Sequence, residues 1–143
     1  MRGLGLFGAE LSIDLSAIKW NYQYLIKNLR TGAGLAAVVK ADAYGLGVNQ
    51  IVPVLVRAGC NTFFVSTLDE GIVLRGLVQG ATIYVLNGPL AGQEPEFITN
   101  QLRPVLNSLE QIECWQNGPY RSGRTDLPVA LHVDTGCLLY TSP

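Results

Sequence analysis

The chain reads as a parallel α/β protein. Three observations predict this: short apolar strands recur along it, helical segments with an apolar stripe separate them, and glycines or capping residues mark the junctions. From residue 35 the alternation gives five strands at βα spacing, which requires parallel pairing with right-handed crossovers. A five-stranded flavodoxin-like sheet and an eight-stranded barrel short of three strands both satisfy it, and composition does not separate them. At 143 residues the chain holds one domain core or part of a larger barrel, since (β/α)8 barrels span about 250 residues.

Residues 11–13 are read as a first strand. A helix is expected over 16–29, where Ile18, Tyr22, Leu25, Ile26 and Leu29 share one face and Thr31, Gly32 and Gly34 end it. Residues 35–40 carry an unbroken apolar run up to Lys40, the pattern of a strand buried on both faces. Asn49 is the expected cap of a helix to Ala58, with Pro53 tolerable near its start and Gly59 as its stop. Residues 62–65 make the next strand. Thr67 and Glu70 then form a T-x-x-E capping box, opening a helix whose Leu68, Ile72 and Leu74 face inward. A strand over 82–86, a turn at Gly88, Pro89 and Gly92, a short helix over 94–99 and a strand over 103–106 follow. Ser108 and Gln111 predict a second capping box before a helix running toward Gln116; a polar loop over 117–126 leads to a last strand over 129–133.

Composition removes several function classes. A hydrophobic share of 48% with 15% charged residues is that of a soluble globular chain, and a net charge of −1 without a basic run argues against nucleic acid as a partner. No stretch approaches the roughly 20 apolar residues that cross a bilayer, so no membrane partner is expected. Cys60, Cys114 and Cys137 are far apart, without a C-x-x-C pair. With His132 as the one histidine they make a poor metal set, so no metal site is expected and the thiols read as reduced and cytosolic. Residues 1–9 read as a flexible leader. Their Gly3, Gly5 and Gly8 satisfy G-x-G-x-x-G, but almost no chain precedes Gly3 to form the strand that a dinucleotide site needs.

Lys40 carries the main functional clue. At the carboxyl end of a buried strand its ammonium form is penalised by low-dielectric surroundings, which favours the neutral amine used in Schiff-base or proton-transfer chemistry. Position alone is equally met by a lysine that pairs with Asp42 or simply leaves the core. The residues that follow shift this balance. Ala41 and Ala43 leave room, Tyr44 supplies a phenol, and Gly45 and Gly47 permit close backbone approach, a setting suited to a planar or phosphorylated group such as pyridoxal phosphate.

VVKADAYGLG resembles the cofactor-lysine motif of alanine racemases, and ELSIDLSAIKWNYQYL resembles the AEIDLxAIxxN opening that precedes it in that family. AGCNTFFVSTLDEGIVLRG is similar to the family's AGAxxFxVAxxxEAxxLR segment, and ALHVDTG to its DTG strand. The resemblance covers residues 10–136. It implies the N-terminal part of a (β/α)8 TIM-type barrel, truncated before closure, with the β-rich C-terminal domain absent. It implies a cytoplasmic, pyridoxal-phosphate-dependent isomerase that interconverts L-alanine and D-alanine for peptidoglycan and works as a head-to-tail homodimer. Lys40 would bind the cofactor covalently and act at Cα on the D-enantiomer's side, with the Tyr44 hydroxyl near the phosphate. The opposite base, a tyrosine, would come from the partner's C-terminal domain, so these residues alone are expected to be inactive. A non-catalytic pyridoxal-phosphate-binding barrel protein and a serine or broad-specificity racemase are the alternatives.

The departures are specific. Cys137 stands at the family's methionine, Leu139 at the arginine that bonds the cofactor's phenolic oxygen, and His132 at a lysine that is often carbamylated. Leu46 replaces a more frequent histidine, which should alter packing but not chemistry. His132 reads as a hydrogen-bonded strand histidine, Asp134 as the residue that orders the strand-end turn, and Cys60 and Cys114 as core. Residues 137–143 are read as non-native, because the motif is lost abruptly after Gly136. Sequencing the source locus should show the reading frame departing there; an uninterrupted frame that stops after Pro143 would sink this expectation.

Overall fold

All five expected strands form, the three inner ones within a residue of their expected bounds, and their order decides between the two architectures. In the computed structural model, which describes residues 11–118 and 128–136, the elements are α1 (Leu15–Lys27), β1 (Ala37–Val38), α2 (Lys40–Tyr44), α3 (Val48–Arg57), β2 (Thr62–Val65), α4 (Leu68–Leu77), β3 (Thr82–Val85), α5 (Glu94–Thr99), β4 (Arg103–Leu106), α6 (Leu109–Asn117) and β5 (Ala130–Leu131). The leader, most of the loop expected over 117–126 and the segment 137–143, with Cys137 and Leu139, lie outside the described residues.

The sheet runs β1-β2-β3-β4-β5, parallel throughout. A doubly wound flavodoxin-like sheet reverses its strand order at a switch point; a sheet that never reverses, with crossovers of one hand, gathers its helices on one face as a barrel does. The structure is therefore a partial TIM-type barrel. Burial follows the strand alternation: Phe63 and Val65 of β2 and Ile83 and Val85 of β3 are fully enclosed with Leu74, Val52, Phe97 and Trp115, whereas Phe64 and Tyr84 point to the other face and stack there at 4.9 Å between centroids. Phe97 meets Trp115 edge-on at 5.9 Å.

Local chemistry explains the helix starts. Thr67 and Glu70 form the full capping box at α4. Ser108 accepts from the Gln111 N–H, but the Gln111 side chain reaches past it to the Asn107 N–H at 2.7 Å, so the second box is only half formed. Asp14 caps α1 through the N–H groups of Ser16 and Ala17.

Several expectations are corrected. Residues 11–13 are not a strand: Leu11 is exposed, and the described sheet places no strand beside them to share hydrogen bonds. The run 35–40 yields only the two residues of β1, with Val38 44% exposed, because β1 is an edge strand flanked on one side. Lys40 accordingly opens α2 instead of closing the strand. Asn49 does not cap α3; the cap is Gly47 and the helix starts at Val48, two residues earlier than expected. The last strand shrinks from 129–133 to β5, the other edge. On α1 only Tyr22 of the expected stripe is buried, and Leu25 and Ile26 stay exposed.

Gly71 was not singled out by pattern, yet a Cβ there would lie 2.9 Å from Leu102 Cδ1 and 3.2 Å from Val85 Cγ2. Gly76, on the same helix, faces open space. Gly71→Ala should therefore destabilise the fold by about 1–3 kcal/mol through overpacking. Gly76→Ala should stabilise it by about 0.5–1 kcal/mol through helix propensity. Urea midpoints check both, and shifts of the same sign would contradict the packing assigned to α4.

Tyr22 gives a pH signature. Burial first, then the hydrogen bond and charge of Cys60, push its phenol from the usual 10 up to about 12, while its hydroxyl donates to the Leu35 carbonyl at 3.2 Å. The unfolded chain ionises this phenol more easily than the folded one. Its contribution to stability is thus full below pH 10 and is lost as pH rises toward about 12. Tyr22→Phe should flatten the fall in urea midpoint across that window.

Candidate active site

The chain between β1 and α3 adopts a backbone that the sequence does not announce. Ala41, Asp42, Ala43 and Tyr44 have φ of 51°, 53°, 55° and 57°, so α2 is a left-handed turn built without glycine. Each such residue costs roughly 1–2 kcal/mol relative to the right-handed form, because Cβ crowds the following carbonyl. Surrounding groups must hold the turn.

They do so from both ends. The Ala41 N–H donates to Glu70 Oε1 at 2.8 Å, and the Val48 N–H donates to Asp42 Oδ1 at 2.7 Å. Between these, the Gly45 N–H donates to the Ala41 carbonyl at 2.8 Å and the Gly47 N–H to the Asp42 carbonyl at 2.9 Å, while the Ala43 methyl is buried in the core. Gly45 and Gly47 leave the turn at φ of 78° and 91°, conformations that a side chain would strain. Asp42 thus serves as the cap expected of Asn49, reached through the turn and not along the helix.

Lys40 and Tyr44 bracket this turn. Lys40 is half-buried and Tyr44 is 62% exposed, both at the carboxyl end of β1. A cavity of about 250 Å³, lined by Val39, Val48, Val65 and Val73 with Asp42 and Glu70, adjoins the turn without including either residue. A cavity of about 290 Å³ touching Thr82 and Arg103 sits at the amino ends of β3 and β4, away from this chemistry.

The other strand ends carry a polar network. Asn107 donates through Nδ2 to the carbonyls of Leu86 and Val105, both at 2.9 Å, which turns its Oδ1 toward His132 Nδ1 at 2.9 Å. With Nδ2 donating, Oδ1 accepts from an N–H on His132 Nδ1; His132 is hydrogen-bonded as expected but lies just past β5, where its backbone N–H donates to the Leu106 carbonyl at 2.9 Å. Gln111 Nε2 adds a bond to the Asn87 carbonyl at 2.8 Å. Asp134 accepts from the Gly136 N–H at 2.9 Å and orders the strand-end turn. These groups follow β3 to β5, with His132 and Asp134 after the strand at the opposite edge of the described sheet from β1 and Lys40. Of the cysteines, Cys60 is buried. Cys114 is only half-buried and donates to Glu94, whose carboxylate bond, followed by burial, pushes the thiol up.

The sequence places Lys40 and Tyr44 together after β1, as the structure does, and gives no sign of the backbone bonds that Asp42 accepts from Val48 and Glu70 from Ala41. The T-x-x-E signal pointed to Glu70, but only as a helix cap.

An α/β barrel segment with an amine and a phenol on one turn at a strand's carboxyl end defines a class of enzyme-type scaffold whose chemistry sits at that rim. The chain belongs to the alanine racemase family: residues 13–138 match the family model described as "Alanine racemase, N-terminal domain". It is 49% identical over 129 residues to the alanine racemase of Rhodospirillum rubrum, covering 90% of this chain and 34% of that protein. It is 48% identical over 130 residues to the catabolic alanine racemase of Mesorhizobium japonicum, with the same shares. Among solved structures, the alanine racemase of Bartonella henselae with covalently bound pyridoxal phosphate matches with a TM-score of 0.77 and 36% identity, over 82% of this chain and 32% of that one. That of E. faecalis matches with a TM-score of 0.76 and 31% identity, over 87% and 33%. The chain thus spans about a third of the length of the relatives it matches.

Proposed function

We propose that the chain is the cofactor-lysine part of an alanine racemase, an isomerase that uses pyridoxal phosphate to interconvert L-alanine and D-alanine. The observation that carries this reading is the Lys40–Tyr44 turn at the barrel rim in a chain of that family. The surroundings suit such a group. Ala41 and Ala43 add only a methyl each, and nothing lies within 4 Å of where a Cβ on Gly45 would stand, so the space beside the turn is open. The donor set, a primary amine and a phenol, matches an aldehyde and a phosphate.

Lys40 would hold the aldehyde, and the Tyr44 hydroxyl would donate to the phosphate. When bound, pyridoxal phosphate supplies a conjugated system that spreads the negative charge left at Cα. Released from the aldehyde when alanine's amino group takes its place there, the Lys40 amine would take the proton from Cα of D-alanine, or return it there in the reverse direction. Racemisation needs a second acid–base group on the opposite face. In this reading it is a tyrosine from the C-terminal domain of a partner subunit in a homodimer, outside residues 10–136, which form the N-terminal part of the barrel domain. A cytoplasmic location and D-alanine supply for peptidoglycan belong to the same reading.

The test compares the chain with Lys40→Ala in the presence of pyridoxal phosphate. A Schiff-base absorbance band that disappears in the variant, and borohydride trapping at Lys40 in preference to Lys19 and Lys27, are expected. Equal trapping at all three lysines would count against the proposal. Added L-alanine should give residues 1–143 alone no D-alanine above background, because in this reading the opposite base lies outside them; measurable turnover would refute the two-base assignment.

A further inference from the structure

We propose that Glu70 is a positioning residue for Lys40, its carboxylate fixing the peptide plane that leaves the lysine; the proposal rests on the reading of Lys40 as the cofactor lysine. The geometry separates two tasks on one side chain. Oε2 accepts from the Ser66 N–H at 2.7 Å and the Thr67 N–H at 3.3 Å, which completes the capping box at the start of α4. Oε1 accepts from the Ala41 N–H at 2.8 Å, on another segment 29 residues away. A helix cap needs only the first of these.

The second bond acts on Lys40 through the rigid amide. The Ala41 N–H lies in the same plane as the Lys40 carbonyl, so fixing its direction fixes ψ of Lys40 and hence how the turn that carries Tyr44 is set relative to the Lys40 side chain. Without that bond the left-handed turn would lose its one side-chain tie to α4 and would keep the Asp42–Val48 bond, the backbone bonds from Ala43 to Val39, Gly45 to Ala41 and Gly47 to Asp42, and the buried Ala43. The strain stored in Ala41 to Tyr44 favours relaxation toward ordinary backbone angles. Relaxation would swing Lys40 and Tyr44 apart, since both hang from the ends of the turn.

Only a carboxylate performs both tasks. Glu70 meets N–H donors on both oxygens, whereas a glutamine offers one acceptor and one NH2 group, which would face a donor on whichever side it takes. Glu70→Gln therefore keeps the cap or the clamp but not both.

The experiment uses the full chain as wild type, Glu70→Gln and Thr67→Ala. Two quantities are read: hydrogen exchange of the Ala41 amide without cofactor, and the ratio of pyridoxal phosphate trapped by borohydride at Lys40 to that at Lys19 and Lys27. Glu70→Gln should speed Ala41 exchange and lower the trapping ratio, each by about tenfold, the effect of losing one charge-assisted hydrogen bond. Thr67→Ala removes the hydroxyl that accepts from the Glu70 N–H and keeps the carboxylate. It should lower the thermal midpoint and leave the trapping ratio unchanged. Unaltered exchange or trapping in Glu70→Gln overturns the proposal, as does an equal loss in Thr67→Ala, which would make the cap sufficient. If Glu70→Gln fails to fold by circular dichroism, an amide-to-ester replacement at Ala41 removes the donor alone; retention of the trapping ratio then overturns the proposal, and its tenfold loss supports it. Wild-type chain that traps no more at Lys40 than at Lys19 and Lys27 rejects the cofactor-lysine reading, while Ala41 exchange still decides whether Glu70 clamps the turn.

Discussion

The parallel pairing of β1 with β2 is the constraint on which the rim chemistry depends. Ala37 stands opposite Phe63 and Val38 opposite Phe64, and the Val39 N–H continues the ladder to the Phe64 carbonyl at 2.9 Å. Parallel strands end on the same side, so the chain leaving β1 meets the helix start that follows β2. Glu70 can reach Ala41 only because of this. A slip of one residue would turn Val39 out of the core and redirect the strand exit that sets Lys40. The same parallelism gathers Asn87, Asn107 and His132 at one end, with the Leu86 N–H on the Val65 carbonyl and the His132 N–H on the Leu106 carbonyl.

How much could be read without coordinates followed from how local each cause is. The bounds of β2, α5 and β4 and the capping box at Thr67 were legible because turn residues and cap chemistry act over a few positions. That Lys40 and Tyr44 share one short segment after β1 was legible as a spacing. The left-handed turn between them was not: alanine and tyrosine carry no signal for positive φ, and one of the bonds that hold it comes from a residue 29 positions away. Asn49 was misread as a cap for a related reason, since the oxygen that serves α3 belongs to Asp42 and folds back through the turn. Gly71 was illegible because its constraint is contact with Leu102 and Val85, set by tertiary packing.

The overestimate of burial at residues 35–40 has a topological cause. An unbroken apolar run looks the same in a central strand and in an edge strand, because both use β-branched and aliphatic residues. Neighbours then decide exposure. In β2 and β3, flanked on both sides, Phe63 and Ile83 are fully enclosed; at β1 and β5 the exposed residues are Val38 and Leu131, the latter at 64%. α1, beside the β1 edge, likewise leaves the stacked pair Trp20 and Tyr24 open to solvent.

This gradient bears on Lys40, which leaves the edge strand half-buried. Two different influences act on such an amine. Its direction is set by covalent geometry and the hydrogen bonds of Glu70 and Asp42, all within residues 40–70 and independent of what lies past the β1 edge. Its desolvation depends on atoms packed around it, and on the open side of an edge strand water supplies that surrounding. Direction is therefore a property of the turn, carried by these residues themselves, whereas a low-dielectric setting must be completed by whatever covers the β1 edge. The strained turn makes sense in that division: a backbone held by two carboxylates fixes where Lys40 and Tyr44 leave the chain relative to each other whether or not the surroundings are dry.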